Sequence, residues 1–280
     1  MNKIVDICRE RENIISLWHQ CFGDGRDYIE FFLDNCPNKI CLGSFENGKL
    51  ASMLFLLNGK IGGLSCKYLY AACTAEEYRC RGIMGRLIGY AKDFCRSQGV
   101  DCIFLVPSSE SLYGYYEKFG FSPMMKRAEM TLHGGGEKQI LSKNLDIKHI
   151  ASQRIRFLSK IKCFSFDEKT TEYSVAEFLK TGGEIYSRGG ENGFLAFASR
   201  NGNNIVIKEF LTDFDNNITV FFDLFENLGA ENVYIYAPLV YNDSDNGCRT
   251  TKCGMLFPIS EKAKDCINED DIFYSGMYLD

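Results

Sequence analysis

The chain has 280 residues, with 32 Lys and Arg against 37 Asp and Glu, a net charge of −5. Its 45% hydrophobic and 25% charged content suits one large domain or two of medium size, each with a real core, and 22 Phe with 15 Tyr exclude a disordered chain. The acidic balance argues against gripping nucleic acid by bulk charge, and no apolar run reaches the roughly 18–20 residues that span a bilayer.

The start, Met1 to Asp6, has no secretory h-region, so a cytoplasmic protein is expected. The 13 cysteines are odd in number, scattered, and form no CxxC pair. They read as reduced thiols, most of them small core residues, with no metal set.

Residues 3–8 read as a short strand. Ile14, Trp18, Cys21 and Phe22 then share one face of a helix that opens near Arg11 and stops at Gly23-Asp24-Gly25. Tyr28, Phe31 and Phe32 mark a second helix to about Asn35. Ile40–Phe45 and Leu50–Leu57 flank Asn47-Gly48, a type I′ hairpin signal. A second turn is expected at Asn58-Gly59, leading into a strand over 67–74. A long helix follows from Ile83 to Gly99, then a buried strand from Asp101 to Val106, a helix over 109–119 stopped by Gly120, and a strand over 121–132.

His133-Gly134-Gly135-Gly136 reads as a linker, giving expected domains 1–133 and 134–280. In the second, helices are expected at 148–158, 174–180 and 218–228. Strands are expected on both sides of Asn201-Gly202, at 232–237 and at 272–279. The second half echoes the first through its Asn-Gly hairpin, a helix, a strand ending at Pro238, and Cys253-Gly254-Met255 against Phe119-Gly120-Phe121.

The informative stretch runs from Tyr68 to Leu87: strand, short basic loop, helix. A loop that opens a helix exposes unpartnered N–H groups at the positive end of the helix dipole. Gly82 allows close backbone approach, and Arg79, Arg81 and Arg86 add charge, so a diphosphate-bearing ligand is expected. Neither GxxxxGK[ST] nor GxGxxG is present, which argues against a P-loop or a dinucleotide fold.

The stretch Arg79-Cys80-Arg81-Gly82-Ile83-Met84 resembles motif A of the GCN5-related N-acetyltransferases (GNAT), [QR]-x-x-G-x-[GA], with Met84 at the last position and Gly85 next. Tyr116-Glu117-Lys118-Phe119-Gly120-Phe121 resembles the family's Y-x-K-x-G-F ending, and Ser109 stands where the family often has Asn. The resemblance covers about residues 3–132, and the whole chain is similar to tandem acetyltransferases of the enhanced-intracellular-survival type. It implies an α/β (α+β) fold with a mixed central sheet flanked by helices, in two GNAT-like halves of which the second is degenerate.

The resemblance further implies acetyl-coenzyme A as cosubstrate. Its diphosphate would lie on the loop Arg79, Cys80, Arg81, Gly82, Ile83, Met84, Gly85 and Arg86, near Ser109. Its pantetheine would run along Ala72, Cys73 and Thr74. An amine of a small-molecule or peptidyl acceptor would attack directly, with Tyr116 as general acid. In this reading a backbone N–H near Cys73 polarises the thioester carbonyl.

No general base is visible. Glu76, Glu77, Asp24 and Glu30 read as solvated side chains, and the C-terminal Asp280 is a candidate by analogy with the tandem enzymes. Asp24, Asp27, Tyr28, Phe31 and Phe32 lie on the acceptor side, where acids and aromatics suit a cationic amine. Cys73 reads as a core thiol, not a nucleophile. The alternatives are a non-catalytic acyl-CoA-binding protein and an aminoacyl-tRNA-dependent transferase, the latter disfavoured by the acidic charge. No membrane or nucleic-acid partner is expected, and the oligomeric state is left open.

Overall fold

A computed structural model describes residues 1–133, 146–188, 193–213, 225, 228–241, 248–268, 270–276 and 279. The chain forms two compact units, Met1–Pro123 with Gly254–Asp271, and Met124–Cys253 with Ile272–Asp280. Among the described residues no helix is long and apolar enough to cross a membrane.

The first unit contains β1 (Asn2–Ile4), α1 (Arg11–Phe22), α2 (Arg26–Asn35), β2 (Ile40–Glu46), β3 (Lys49–Ile61), β4 (Leu64–Thr74), α3 (Ile83–Ser97), β5 (Cys102–Leu105) and α4 (Glu110–Glu117). Strands β1 to β4 form antiparallel neighbours, and β5 then pairs parallel to β4. Within β3, Met53–Leu57 is an unbroken apolar run, fully buried because both faces are covered. Phe55 points to Trp18 and Phe32, with ring centroids 5.6 and 4.9 Å away. Leu54 and Leu56 point the other way, into a cluster with Leu87, Ile88 and Ala91 of α3. Asn47 and Gly48 both have positive φ (49° and 80°), as the hairpin signal demands.

The second unit contains β6 (Ser122–His133), α5 (Ile147–Leu158), β7 (Phe164–Phe166), α6 (Glu168–Lys180), β8 (Glu184–Arg188), β9 (Phe194–Asn201), β10 (Asn204–Thr212) and β11 (Asn232–Ala237). Here β8, β9 and β10 are antiparallel neighbours and β11 pairs parallel to β10. The order repeats that of β2, β3, β4 and β5.

In each unit, the strand that pairs with the far side of the parallel strand comes from the other half of the sequence. β6 follows α4 yet pairs antiparallel with β11, from Asn232↔His133 to Ala237↔Ala128. β12 (Arg249–Pro258) delivers its final residues to β5, from Met255↔Leu105 to Pro258↔Cys102. α7 (Glu261–Cys266) follows it in the first unit. Asp101 fixes this return: its carbonyl accepts from Ile259 N (2.7 Å), and its carboxylate accepts from Ser260 Oγ (2.7 Å) and Ser65 N (2.8 Å). Those bonds hold the Asp101 carboxyl below its usual range against the cost of burial. The expected division into 1–133 and 134–280 thus differs from the observed units at residues 124–133 and 254–271.

Other differences have local causes. The turn expected at Asn58-Gly59 is strand, with Asn58 opposite Lys67 and Gly59 opposite Cys66. The Lys67 ammonium donates to Asn58 Oδ1, and extending the ladder buries Ile61 and Leu64 as a pair. The turn falls instead at Gly62-Gly63, where Gly62 supplies the positive φ. Residues 272–279 do not form the expected strand among the described positions. Only Phe273 and Tyr274 make bridges, parallel to Met125 and Cys163. The expected helix at 218–228 and the glycines of the linker lie almost wholly outside the described residues. Phe22 is 44% exposed, so the buried face of α1 is Ile14, Ile15, Leu17 and Trp18.

Candidate active site

The site begins with an irregularity in β4. Met53 faces Cys73 and Phe55 faces Tyr70, so Leu54 stands opposite both Ala71 and Ala72. This is a β-bulge, and Ala71 takes φ 47° to make it. The parallel ladder to β5 ends just before, at Leu69↔Leu105. β4 runs on to Thr74, and among the described residues no strand pairs with 70–74 on that side. A strand edge without a strand partner can pair with an extended ligand, although here the Thr74 carbonyl already accepts from Arg79 Nε. On the other side, Ser52 Oγ donates to the Cys73 carbonyl (2.8 Å) and lies 3.0 Å from Thr74 Oγ1, holding the strand end to β3.

A single turn of 3₁₀ helix, Glu76–Tyr78, carries the chain from β4 toward α3. Cys80 and Gly82 both have positive φ (60° and 69°), the left-handed geometry from which backbone anion-binding nests are built. Gly82 is the N-cap of α3 and supplies no side-chain cap. Cys80, Arg81 and Gly82 are exposed.

The three arginines divide the work. Arg79 Nε donates to the Thr74 carbonyl (3.1 Å) and Arg86 Nη1 to the Arg81 carbonyl (3.0 Å), so both brace the loop. Arg81 lies over the Tyr78 ring at 5.6 Å. Ile83 is buried in the core. Met84 is partly buried and packs against the same cluster as Leu87 and Leu105. A Cβ on Gly85 would lie 3.0 Å from the Phe119 ring. The glycine displaced by one position from the motif therefore admits the end of α4.

α4 carries Tyr116, which is 8% exposed and belongs to the cluster that includes Leu105 and, at its margin, Ala72 and Met84. Burial, with a smaller contribution from Tyr115, pushes the Tyr116 phenol up to about 12. It stays protonated through the neutral range. Ser109 is the N-cap of α4 but makes no side-chain cap bond; its Oγ lies 2.9 Å from Ser111 Oγ.

Several acceptor-side residues turn out to have structural partners. Asp24 accepts from the Trp18 indole (2.7 Å), and its carbonyl lies 2.8 Å from His19 Nδ1. Glu30 is bound to Arg26 at 2.9 Å. Phe32 is fully buried. Glu76 and Glu77 are exposed on the 3₁₀ turn, and Asp280 lies outside the described residues.

Two features escaped sequence reasoning. Tyr28 and Tyr70 meet through their hydroxyls at 3.0 Å, joining α2 to β4 just before the bulge. Cys21, read as one more apolar position, lies against the end of β4 with its Sγ 3.4 Å from the Thr74 carbonyl. Both depend on contacts between elements far apart in sequence, and no local pattern announces those.

The bulged strand, the short parallel neighbour and the uncapped helix start lie in a mixed sheet of the kind seen in solved acetyltransferase folds. Residues 9–124 match the family model described as Acetyltransferase (GNAT) domain. A probable N-acyltransferase from Enterococcus faecalis has a similar structure, with a TM-score of 0.72 at 12% identity, covering 94% of this chain and 73% of that one. Eis1 from Mycobacterium abscessus gives 0.67 at 10% identity over 94% and 75%. A tandem GNAT protein from the clavulanic acid biosynthesis pathway gives 0.53 at 9% over 93% and 99%. No curated protein matches the sequence. Residues 9–124 are thus similar to a GNAT acetyltransferase domain, and the solved structures extend the likeness of fold across both units.

Proposed function

We propose that the protein transfers the acetyl group of acetyl-coenzyme A to the amine of a small-molecule or peptidyl acceptor, with the first unit as the catalytic one. The observation that carries this reading is a pair of backbone features in the first unit that no strand or side-chain cap covers among the described residues. One is the edge of β4 past its bulge; the other is the uncapped start of α3 behind Cys80 and Gly82.

The N–H groups from Arg81 to Gly85 would hold the diphosphate, with Arg81 adding charge and Arg79 and Arg86 keeping the loop in shape. Ala72, Cys73 and Thr74 would align the pantetheine arm by strand-like hydrogen bonds. The cosubstrate supplies an activated thioester. The chain supplies orientation, a proton held on Tyr116 for the departing thiolate, and backbone donors beside the carbonyl.

A protonated amine has no lone pair, and amines of the lysine type titrate near 10.4. Turnover is therefore expected to rise with pH as the acceptor loses its proton, and not to fall again below about pH 10. The high value of the Tyr116 phenol keeps the acid loaded throughout that range. A pH profile of thiol release, with an amine panel and acetyl-CoA, checks this; a descending limb near neutrality would contradict the assignment.

Tyr116→Phe is expected to lower kcat by roughly 10²-fold, the lower end of general-acid effects, with acetyl-CoA affinity nearly unchanged. Stopped thiol-release assays against Tyr115→Phe as comparison give the measurement. Coenzyme A binding without thiol release for any amine would favour a non-catalytic acyl-CoA-binding protein.

A further inference from the structure

Lys92 lies in the middle of α3 and is half-buried. Its ammonium reaches the turn that ends α4. It donates to the Phe119 carbonyl and stands over two rings, 3.6 Å from the Phe257 centroid and 5.1 Å from that of Phe121. Among the described residues it has no carboxylate partner; the adjacent Asp93 is bound to Arg96 at 2.6 Å. Burial, with a smaller contribution from Arg96, pulls the Lys92 ammonium down to about 8, a cost that an apolar side chain at the same place would avoid. The end of α4 offsets that cost. The last turn of α4 carries no basic residue of its own, so a cation from another helix meets the negative end of its dipole. The turn itself is closely built. Phe119 N and Phe121 N donate to the Tyr116 carbonyl at 2.9 and 3.3 Å, and Gly120 N to that of Glu117 at 2.8 Å. Gly120 has φ 77°, and a Cβ there would lie 3.2 Å from the Phe257 ring. The Phe121 ring meets the Tyr116 ring edge-on, with centroids 6.0 Å apart. Lys92 is therefore one residue removed from Tyr116 by two routes, the backbone at Phe119 and the ring of Phe121.

We propose that Lys92 is a positioning residue for the proton donor: through the Phe119 carbonyl and the Phe121 ring it fixes the end of α4, and with it the Tyr116 phenol. The role of Tyr116 as acid rests on the function proposed above; the clamp on α4 does not. α3 carries at its start the loop assigned to the diphosphate, and α4 carries the acid. A link between the two helices sets where the phenol stands relative to the bound cosubstrate, and small errors in such placement are costly to rate. The neutral amine still donates, so the bond to Phe119 outlasts the charge as pH rises.

The test uses the full chain. Lys92→Met keeps an unbranched apolar stem and removes the donor and the charge. Its melting temperature is expected to be unchanged or raised, because the desolvation cost goes with the charge. Amide hydrogen exchange at Phe119, Gly120 and Phe121 is expected to quicken by roughly 10-fold, the scale of one lost hydrogen bond, with exchange at Leu87 and Ile88 of α3 unchanged. With acetyl-CoA and an amine panel, kcat is expected to fall by roughly 10-fold while the KM for acetyl-CoA stays nearly constant. In a Tyr116→Phe background the same substitution is expected to change kcat by less than about twofold, because the group it positions is gone. A loss of equal size in both backgrounds would show that Lys92 acts on the fold at large and overturn the assignment. Unchanged exchange at Phe119–Phe121 would remove the clamp itself. If the unaltered protein releases no thiol with any amine, the function proposed above fails, and the exchange measurement still decides whether Lys92 holds the helix of Tyr116.

Discussion

Gly82→Glu is expected to weaken coenzyme A binding by about 100-fold or more, equivalent to roughly 2.8 kcal/mol, in a protein that remains folded. Gly82 holds φ 69°, where an L side chain is strained by roughly 1–2 kcal/mol. It lies at the exposed start of α3, so the global cost to folding is small. Its Cβ would point toward Arg86 Nη1 at 3.5 Å. A carboxylate there would draw that guanidinium away from the Arg81 carbonyl and put negative charge where the diphosphate is placed. Calorimetric titration measures the affinity, and circular dichroism reports the fold. Unchanged affinity in a folded variant would remove the diphosphate from this loop.

Arg154→Met is expected to destabilise the second unit by about 3–5 kcal/mol, because it leaves a buried carboxylate without its countercharge. Arg154 and Glu209 have side chains 3% and 0% exposed, joined through Nε–Oε2 at 2.5 Å and Nη2–Oε1 at 3.2 Å. Tyr274 donates a third bond to Oε1 at 3.3 Å. The packing around this group is so close that a Cβ on Gly276 would fall 1.6 Å from Glu209 Oε1. Thermal or urea unfolding gives the value. Arg154→Met combined with Glu209→Leu is expected to recover most of the loss, since removing both charges also removes the desolvation cost. A single substitution costing under about 1 kcal/mol, the scale of an exposed pair, would show that the carboxylate reaches water.

Glu209 sits at a revealing place. Ile207 faces Ala198 and Glu209 faces Phe197 across β9, so Lys208 is an extra residue, and the parallel ladder to β11 ends at Ile207↔Ile235. The second unit therefore repeats both the irregularity of β4 and the early end of its parallel pairing. Past that point it has a buried ion pair and a tyrosine, where the first unit has a strand edge that no described strand covers. The sequence echo between the two halves was legible, but its alignment was not. The hairpin at Asn201-Gly202 corresponds in sheet order to the one at Gly62-Gly63, not to Asn47-Gly48. Only the parallel strand that follows each hairpin shows this.

What sequence could tell about the first unit followed from strong local signals. Asn47-Gly48, Gly82 and Gly120 each need positive φ, and the helical period of α3 is unbroken from Ile83 to Cys95. The strands β8 and β12 and the helix α7 went unread because Gly and polar residues interrupt their patterns. Their stability comes from partners distant in sequence, as Asp101 and Ser260 illustrate at 2.7 Å. The same holds for the bulge. Ala71-Ala72 is bland as text, and its unusual backbone is set by the register on either side of it.

The reciprocal loan of terminal strands has a bearing on how the chain is made. A ribosome that has released only the first 133 residues has exposed an edge at β5 whose partner, Met255–Pro258, has yet to be synthesised. The leading half must therefore wait, with Phe104 and Leu105 uncovered on one side, until the codons for Met255–Pro258 have been read. A gene cut at the glycine linker would yield two fragments, each missing its closing strand and each offering the other a template for β-pairing. Mixed together, such fragments should recover activity that neither has alone.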